Sequence, residues 1–159
     1  AAPAIDHIGV WRPTSRRFLL HTNANNTWDG TTAGDTLTAN FGLTTDVPVT
    51  GDWNGDGNDE VGVWRPSTRK FLLDANGNGQ WDTADGGDIL TGGFGVSTDL
   101  PVVGDWDGDG KDDVGVWRPS TRKFLLDTNG NNVWEGVSGG DTITVPFGLN
   151  TDLPVTGRW

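Results

Sequence analysis

Cysteine is absent from all 159 residues, and so are methionine and tyrosine. No disulfide framework can therefore hold the fold, and thiol usage says nothing about compartment. No apolar run approaches the ~18 residues that a membrane-spanning helix requires, which excludes a membrane span. Positive charge is scarce: 11 Lys and Arg stand against 22 Asp and Glu, for a net charge of −11 and a pI near 4.3. Nucleic-acid binding rests on a basic surface, so nucleic acid is excluded as a partner and cations are favoured. Only two histidines occur, and no nucleophile and base stand in a recognisable pairing, so the chain reads as no enzyme.

Glycine, by contrast, is abundant: 25 of 159 residues, more than twice the usual ~7%. Tight turns and short strands follow, hence an all-β fold. The hydrophobic fraction of 33% together with glycine suffices for one cored domain spanning 1–159. The opening Ala1-Ala2-Pro3-Ala4 is compatible with the end left by a signal peptidase and equally with a trimmed chain, and the expected location is extracellular, secreted or at the cell surface.

The organising feature is a repeat of 53 residues. All nine tryptophans fall into three sets at that spacing: Trp11, Trp64, Trp117; Trp28, Trp81, Trp134; Trp53, Trp106, Trp159. The phenylalanines obey it too, as Phe18, Phe71, Phe124 and Phe41, Phe94, Phe147. The copies run approximately 1–52, 53–105 and 106–159. Aromatics fixed to a period read as packing within and between repeat units. The competing reading is a carbohydrate-binding lectin that stacks sugar rings on the repeated tryptophans.

In the middle copy Val61-Gly62-Val63-Trp64 alternates, turns through Arg65-Pro66-Ser67-Thr68-Arg69 and returns as Lys70-Phe71-Leu72-Leu73. This is a hairpin pattern. Ile89-Leu90-Thr91, running to Phe94, and Leu100-Pro101-Val102-Val103 supply two further strands. Four-stranded units of this length in tandem predict propeller-type blades. A three-fold β-trefoil monomer is the alternative.

Between the last strand of one copy and the first of the next lie two acidic loops. One is Asp52-Trp53-Asn54-Gly55-Asp56-Gly57-Asn58-Asp59-Glu60, the other Asp105-Trp106-Asp107-Gly108-Asp109-Gly110-Lys111-Asp112-Asp113. Oxygen side chains at positions 1, 3, 5 and 9, with glycine at 6, let a loop curl around a hard cation. The candidate ligands are Asp52, Asn54, Asp56 and Glu60, and Asp105, Asp107, Asp109 and Asp113, with the backbone carbonyls of Asn58 and Lys111 at position 7. Calcium takes six to eight oxygens, whereas magnesium prefers a smaller, water-rich octahedron, so calcium is the expected ion.

A second loop type keeps the same pattern with less charge: Asp74, Asn76, Asn78, Gln80 and Asp82, then Asp127, Asn129, Asn131, Val133 and Glu135. Gln80 and Val133 would contribute carbonyls. Weaker calcium sites and Asx-rich turns are both open here. In the first copy His21 stands at the place of Asp74, and His7 at that of Glu60. Both read as eroded ligand positions.

The run from Pro101 through Asp105-Trp106-Asp107-Gly108-Asp109-Gly110 to Val114-Gly115-Val116-Trp117-Arg118-Pro119 resembles the FG-GAP or VCBS-type repeats of bacterial and archaeal surface proteins. Those are related to the blades of integrin α propellers. The resemblance covers all three copies. It implies a propeller, calcium in the hairpin between a blade's first two strands, and a part in adhesion or a non-catalytic appendage. Family propellers have more than three blades.

Leu153-Pro154-Val155-Thr156-Gly157-Arg158-Trp159 matches the strand before each acidic loop, and Ala1 to His7 matches the residues after it. The chain is thus cut inside a third loop that has lost its ligands at Arg158, Ala1, Pro3 and His7. On the blade reading the first blade lacks its innermost strand, and the C-terminal segment can supply it. Exchange between two chains predicts a six-bladed homodimer, and an open series if the geometry does not close. Nine of the 11 basic residues (Arg12, Arg16, Arg17, Arg65, Arg69, Lys70, Arg118, Arg122, Lys123) belong to hairpin tips, opposite a face carrying the acidic loops. The expected role is a calcium-binding structural or adhesive module, self-assembling, with a protein or glycan ligand.

Overall fold

The computed structural model describes residues 5–159. The Ala1-Ala2-Pro3-Ala4 opening and the ligand positions at Ala1 and Pro3 lie outside them. The described residues form three antiparallel sheets, joined by short loops and 3-10 turns. The first has three strands, β1 (Gly9–Arg12), β2 (Arg17–Leu20) and β3 (Thr36–Leu37). The second has β4 (Val47–Gly51), β5 (Glu60–Arg65), β6 (Lys70–Leu73) and β7 (Ile89–Leu90). The third repeats it as β8 (Leu100–Gly104), β9 (Asp113–Arg118), β10 (Lys123–Leu126) and β11 (Thr142–Ile143). Among the described residues no helix is long and apolar enough to cross a membrane.

Each sheet is offset by one strand from the sequence copy. The strand that ends a copy opens the next sheet, so the acidic loops join β4 to β5 and β8 to β9. The three sheets stay separate, and among the described residues neither a closed barrel of the trefoil kind nor a closed propeller ring joins them.

Strand β5 is buried along both faces, which is why Val61, Val63 and Trp64 follow one another almost without a polar residue. The β5–β6 hairpin closes at Arg69, whose φ of 59° recurs at Arg16 and Arg122. Its N–H reaches the carbonyl of Arg65 at 2.7 Å. The third strand of each copy ends sooner than the sequence predicts, in the middle copy at Leu90 rather than Phe94. Thr91 explains the stop, because its hydroxyl takes the N–H of Phe71 at 2.9 Å and donates to the carbonyl of Gly92.

Aromatics bind sheet to sheet. Phe41 lies 6.1 Å from Trp81 of the next sheet, and Phe94 lies 5.3 Å from Trp134, both edge-on. Phe41 and Phe94 are fully buried, a burial of about 1.5–3 kcal/mol each. The Gly79 carbonyl accepts from Ala39, and that of Asn132 from Gly92, so backbone also crosses these junctions. Strands β4 and β8 lie side by side. Leu153 to Trp159 forms no strand, contrary to the sequence expectation, since its edges lack a ladder partner among the described residues. It lies beside β8, with the Thr156 hydroxyl donating to the Val103 carbonyl at 2.8 Å.

Candidate metal centre

Each acidic loop winds because its side-chain oxygens cap backbone N–H groups two to five residues on. Asp52 Oδ1 accepts from Gly55 at 2.6 Å and Oδ2 from Gly57 at 2.8 Å. Asn54 takes the N–H of Asp56, and Asp56 that of Asn58. Asp105, Asp107 and Asp109 repeat the series with Gly108, Asp109 and Lys111. The winding needs φ values of 91° at Gly57 and 92° at Gly110, a region that other residues enter only with strain.

Winding brings the oxygens together. Carboxylate oxygens of Asp52, Asp56 and Glu60 all lie within 4.8 Å of one another, and so do those of Asp105, Asp107 and Asp109. The two sets together occupy loop positions 1, 3, 5 and 9. Asn54 is the neutral counterpart of Asp107, and its amide N–H donates to Glu60 Oε1 at 3.1 Å. Asn58 and Lys111 sit at the turn, with their own N–H groups held by Asp56 and Asp109. Arg158, at the place of an acid in the other copies, brings its guanidinium to 3.7 Å from Asp105.

Position 9 opens the next strand and is drawn into the body. Glu60 and Asp113 are buried, and accept the N–H of Trp53 and Trp106 respectively. Burial, partly offset by those hydrogen bonds and reinforced by neighbouring carboxylates, pushes both up to about 7. Asp59 is raised too, by burial and then by Asp112. A hard dication among all-oxygen donors would supply the charge that keeps these groups ionised, so the residues fit calcium.

A pH dependence follows for protein stripped of metal. Glu60 and Asp113 bind protons more tightly folded than unfolded, so stability is greatest below their unfolded values near 4–4.5 and is lost as pH rises towards about 7. Melting temperature of metal-free protein should fall between pH 5 and pH 7.5, and saturating calcium should abolish the fall. A metal-free melting temperature that is flat or rising across that interval would contradict this.

The inner loops lie against the acidic ones. The Asn54 amide donates to the Ala75 carbonyl at 3.3 Å, so both loop types share one face, as the strand count predicts. Asp74 Oδ2 accepts from Gly79 at 2.7 Å and Asp127 Oδ2 from Asn132 at 2.7 Å. Asn76 and Asn78 donate to Asp82, and Asn129 and Asn131 to Glu135. Gln80 and Val133 have their N–H groups on Asn78 and Asn131. These are the bonds of Asx turns. Burial raises Asp74 and Asp127 above the usual carboxylate range.

Two sets of acids escaped the sequence reading although each recurs every 53 residues. Asp35, Asp88 and Asp141 each follow a glycine and are buried. Asp88 and Asp141 cap the N–H of Asp82 and Glu135, while Oδ1 of Asp88, Asp127 and Asp141 accepts no hydrogen bond from the described residues. Asp46 and Asp99 are also buried, and grip Arg65 and Arg118 at 2.8 and 2.9 Å. Two of the nine basic tip residues are thereby neutralised.

No family model matches the chain, and neither a curated protein nor a solved structure does.

Proposed function

We propose that this chain is a calcium-stabilised, non-catalytic structural or adhesive module of the extracellular space, built from propeller-type blades of the FG-GAP/VCBS kind and assembling with copies of itself. One observation carries the reading. Two loops each gather three carboxylates within 4.8 Å, and at the mouth of the following strand an acid is buried, Glu60 as one of the first three and Asp113 beside the second three. Such a cluster is costly without a cation and stabilising with one. A short loop closed by few protein ligands suits the roughly 0.1–1 mM affinities of extracellular calcium modules. His21 belongs to the architecture: its Nε2 takes the N–H of Asn26 and shapes the first inner loop.

Substitution tests the assignment. Asp105→Ala with Asp109→Ala should lower the melting temperature in calcium and reduce the response to chelator, whereas Asp6→Ala should do neither. Equal responses from all three positions would remove the metal assignment.

The lectin reading retains one supporting observation, the half-exposed ring of Trp28. Trp81 and Trp134 are held against Phe41 and Phe94, which favours packing. Glycan-array binding lost on replacing Trp28, Trp81 and Trp134 without loss of fold would establish the lectin instead.

A further inference from the structure

Among the described residues strand β1 pairs with β2 on one side only. Along its other side runs a groove of about 600 Å³, bordered by Ile8, Val10, Trp11, Pro48, Thr50 and Val61. Leu153 to Trp159 does not line this groove. It lies at β8, with Leu153, Val155 and Trp159 exposed. We propose that the groove receives Leu153–Trp159 from a second copy of the chain as its missing strand, and that two copies exchange these segments reciprocally. This deepens the reading of the chain as a structural repeat module, and does not depend on its calcium.

The two complete sheets fix the register. Leu100 faces Trp117 and Gly104 faces Asp113, so the donor's Leu153 faces Trp11 of the acceptor and its Gly157 faces His7. Three further complementarities lie outside the backbone ladder.

The first is an ion pair. Asp46 and Asp99 each take a neighbouring N–H, from Leu43 and Val96, and also grip Arg65 or Arg118. Asp152 makes the same turn with the N–H of Leu149 at 2.8 Å, but no arginine is bridged to it, and no carboxylate to Arg12, among the described residues. Strand donation unites the donor's Asp152 with the acceptor's Arg12.

The second is aromatic. Phe41 and Phe94 are 0% exposed beneath the tryptophan of the next sheet, whereas Phe147 is 72% exposed. The donor's Phe147 reaches Trp28 of the acceptor, and covers Val10, 59% exposed where Val63 and Val116 are 0%. The third is an indole hydrogen bond. Trp53 donates to the Val61 carbonyl at 3.2 Å and Trp106 to that of Val114 at 3.1 Å, so Trp159, 94% exposed, donates to the Ile8 carbonyl of the acceptor.

Each end thus keeps the residues of a sheet junction, while the metal-ligand positions are changed to Arg158 and His7. The junction between copies is therefore a packed, ion-paired one without calcium. Reciprocal exchange leaves neither copy with an open inner edge, which removes the association hazard of an unpaired strand.

The test is mass by light scattering of the 159-residue chain at micromolar concentration in excess calcium, beside variants at the ion pair. The wild type should give twice 17.0 kDa. Arg12→Asp alone and Asp152→Arg alone should each give single chains with native near-ultraviolet circular dichroism, and the double variant should restore the dimer. Any wild-type mass other than two chains, or a dimer indifferent to either reversal, overturns the proposal. A dimer whose melting ignores chelator would instead refute the calcium reading, and a calcium-stabilised single chain would refute strand exchange.

Discussion

Stripping calcium should lower the melting temperature by about 5–10 °C for each acidic loop that was saturated. The native loops hold their oxygens in place and the unfolded chain does not, so a ligand at 100-fold excess over its dissociation constant stabilises by about 2.7 kcal/mol per site. For a chain of this length, 1 kcal/mol corresponds to roughly 2–4 °C. Both clusters, Asp52-Asp56-Glu60 and Asp105-Asp107-Asp109, contribute. Asp52→Ala and Asp105→Ala together should therefore flatten the response, with each single variant removing about half. The measurement is a melt of metal-free protein across a calcium titration, with magnesium as the comparison ion. A melt indifferent to calcium at ten millimolar would end the metal account.

Replacing Phe94 should be nearly as costly. Phe94 is sealed between its own sheet and Trp134, and a buried Phe→Ala change costs about 3–5 kcal/mol through lost transfer energy and the cavity left behind. Phe147 occupies the same repeat position, but in the single chain its ring meets water. Phe147→Ala should change the stability of the folded chain by under about 1 kcal/mol, and should act instead on the proposed assembly, raising the dimer dissociation constant. Denaturant titration of the two variants, with Arg12→Asp included in both to hold the chains apart, separates these effects. Equal losses at the two positions would mean that Phe147 is already packed within one chain.

The sequence made parts of this molecule plain and concealed others, for physical reasons. The hairpin from Val61 to Leu73 was legible because alternation and turn chemistry agree over one short stretch. The acidic loops were legible because their ligands are local, two residues apart. By contrast, Asp99 and Arg118 are 19 residues apart, and only the β8–β9 register brings them together. Asp88 lies six residues beyond Asp82, past a 3-10 turn at Ala84–Gly86 that a glycine-rich stretch does not announce. The end of β7 at Leu90 turned on a threonine hydroxyl replacing a backbone partner, and alternation of apolar residues does not reveal such a replacement. The regular spacing of the aromatics showed that they pack, while their division into buried Phe94 and exposed Phe147 depends on which neighbour each sheet has.

Calorimetric titration of calcium into the metal-free chain tests the central claim most directly. The account predicts a tightest class of two sites per chain, abolished in the Asp52→Ala, Asp105→Ala double variant. No heat of binding up to ten millimolar calcium, or a tightest class that survives the double variant, would contradict it.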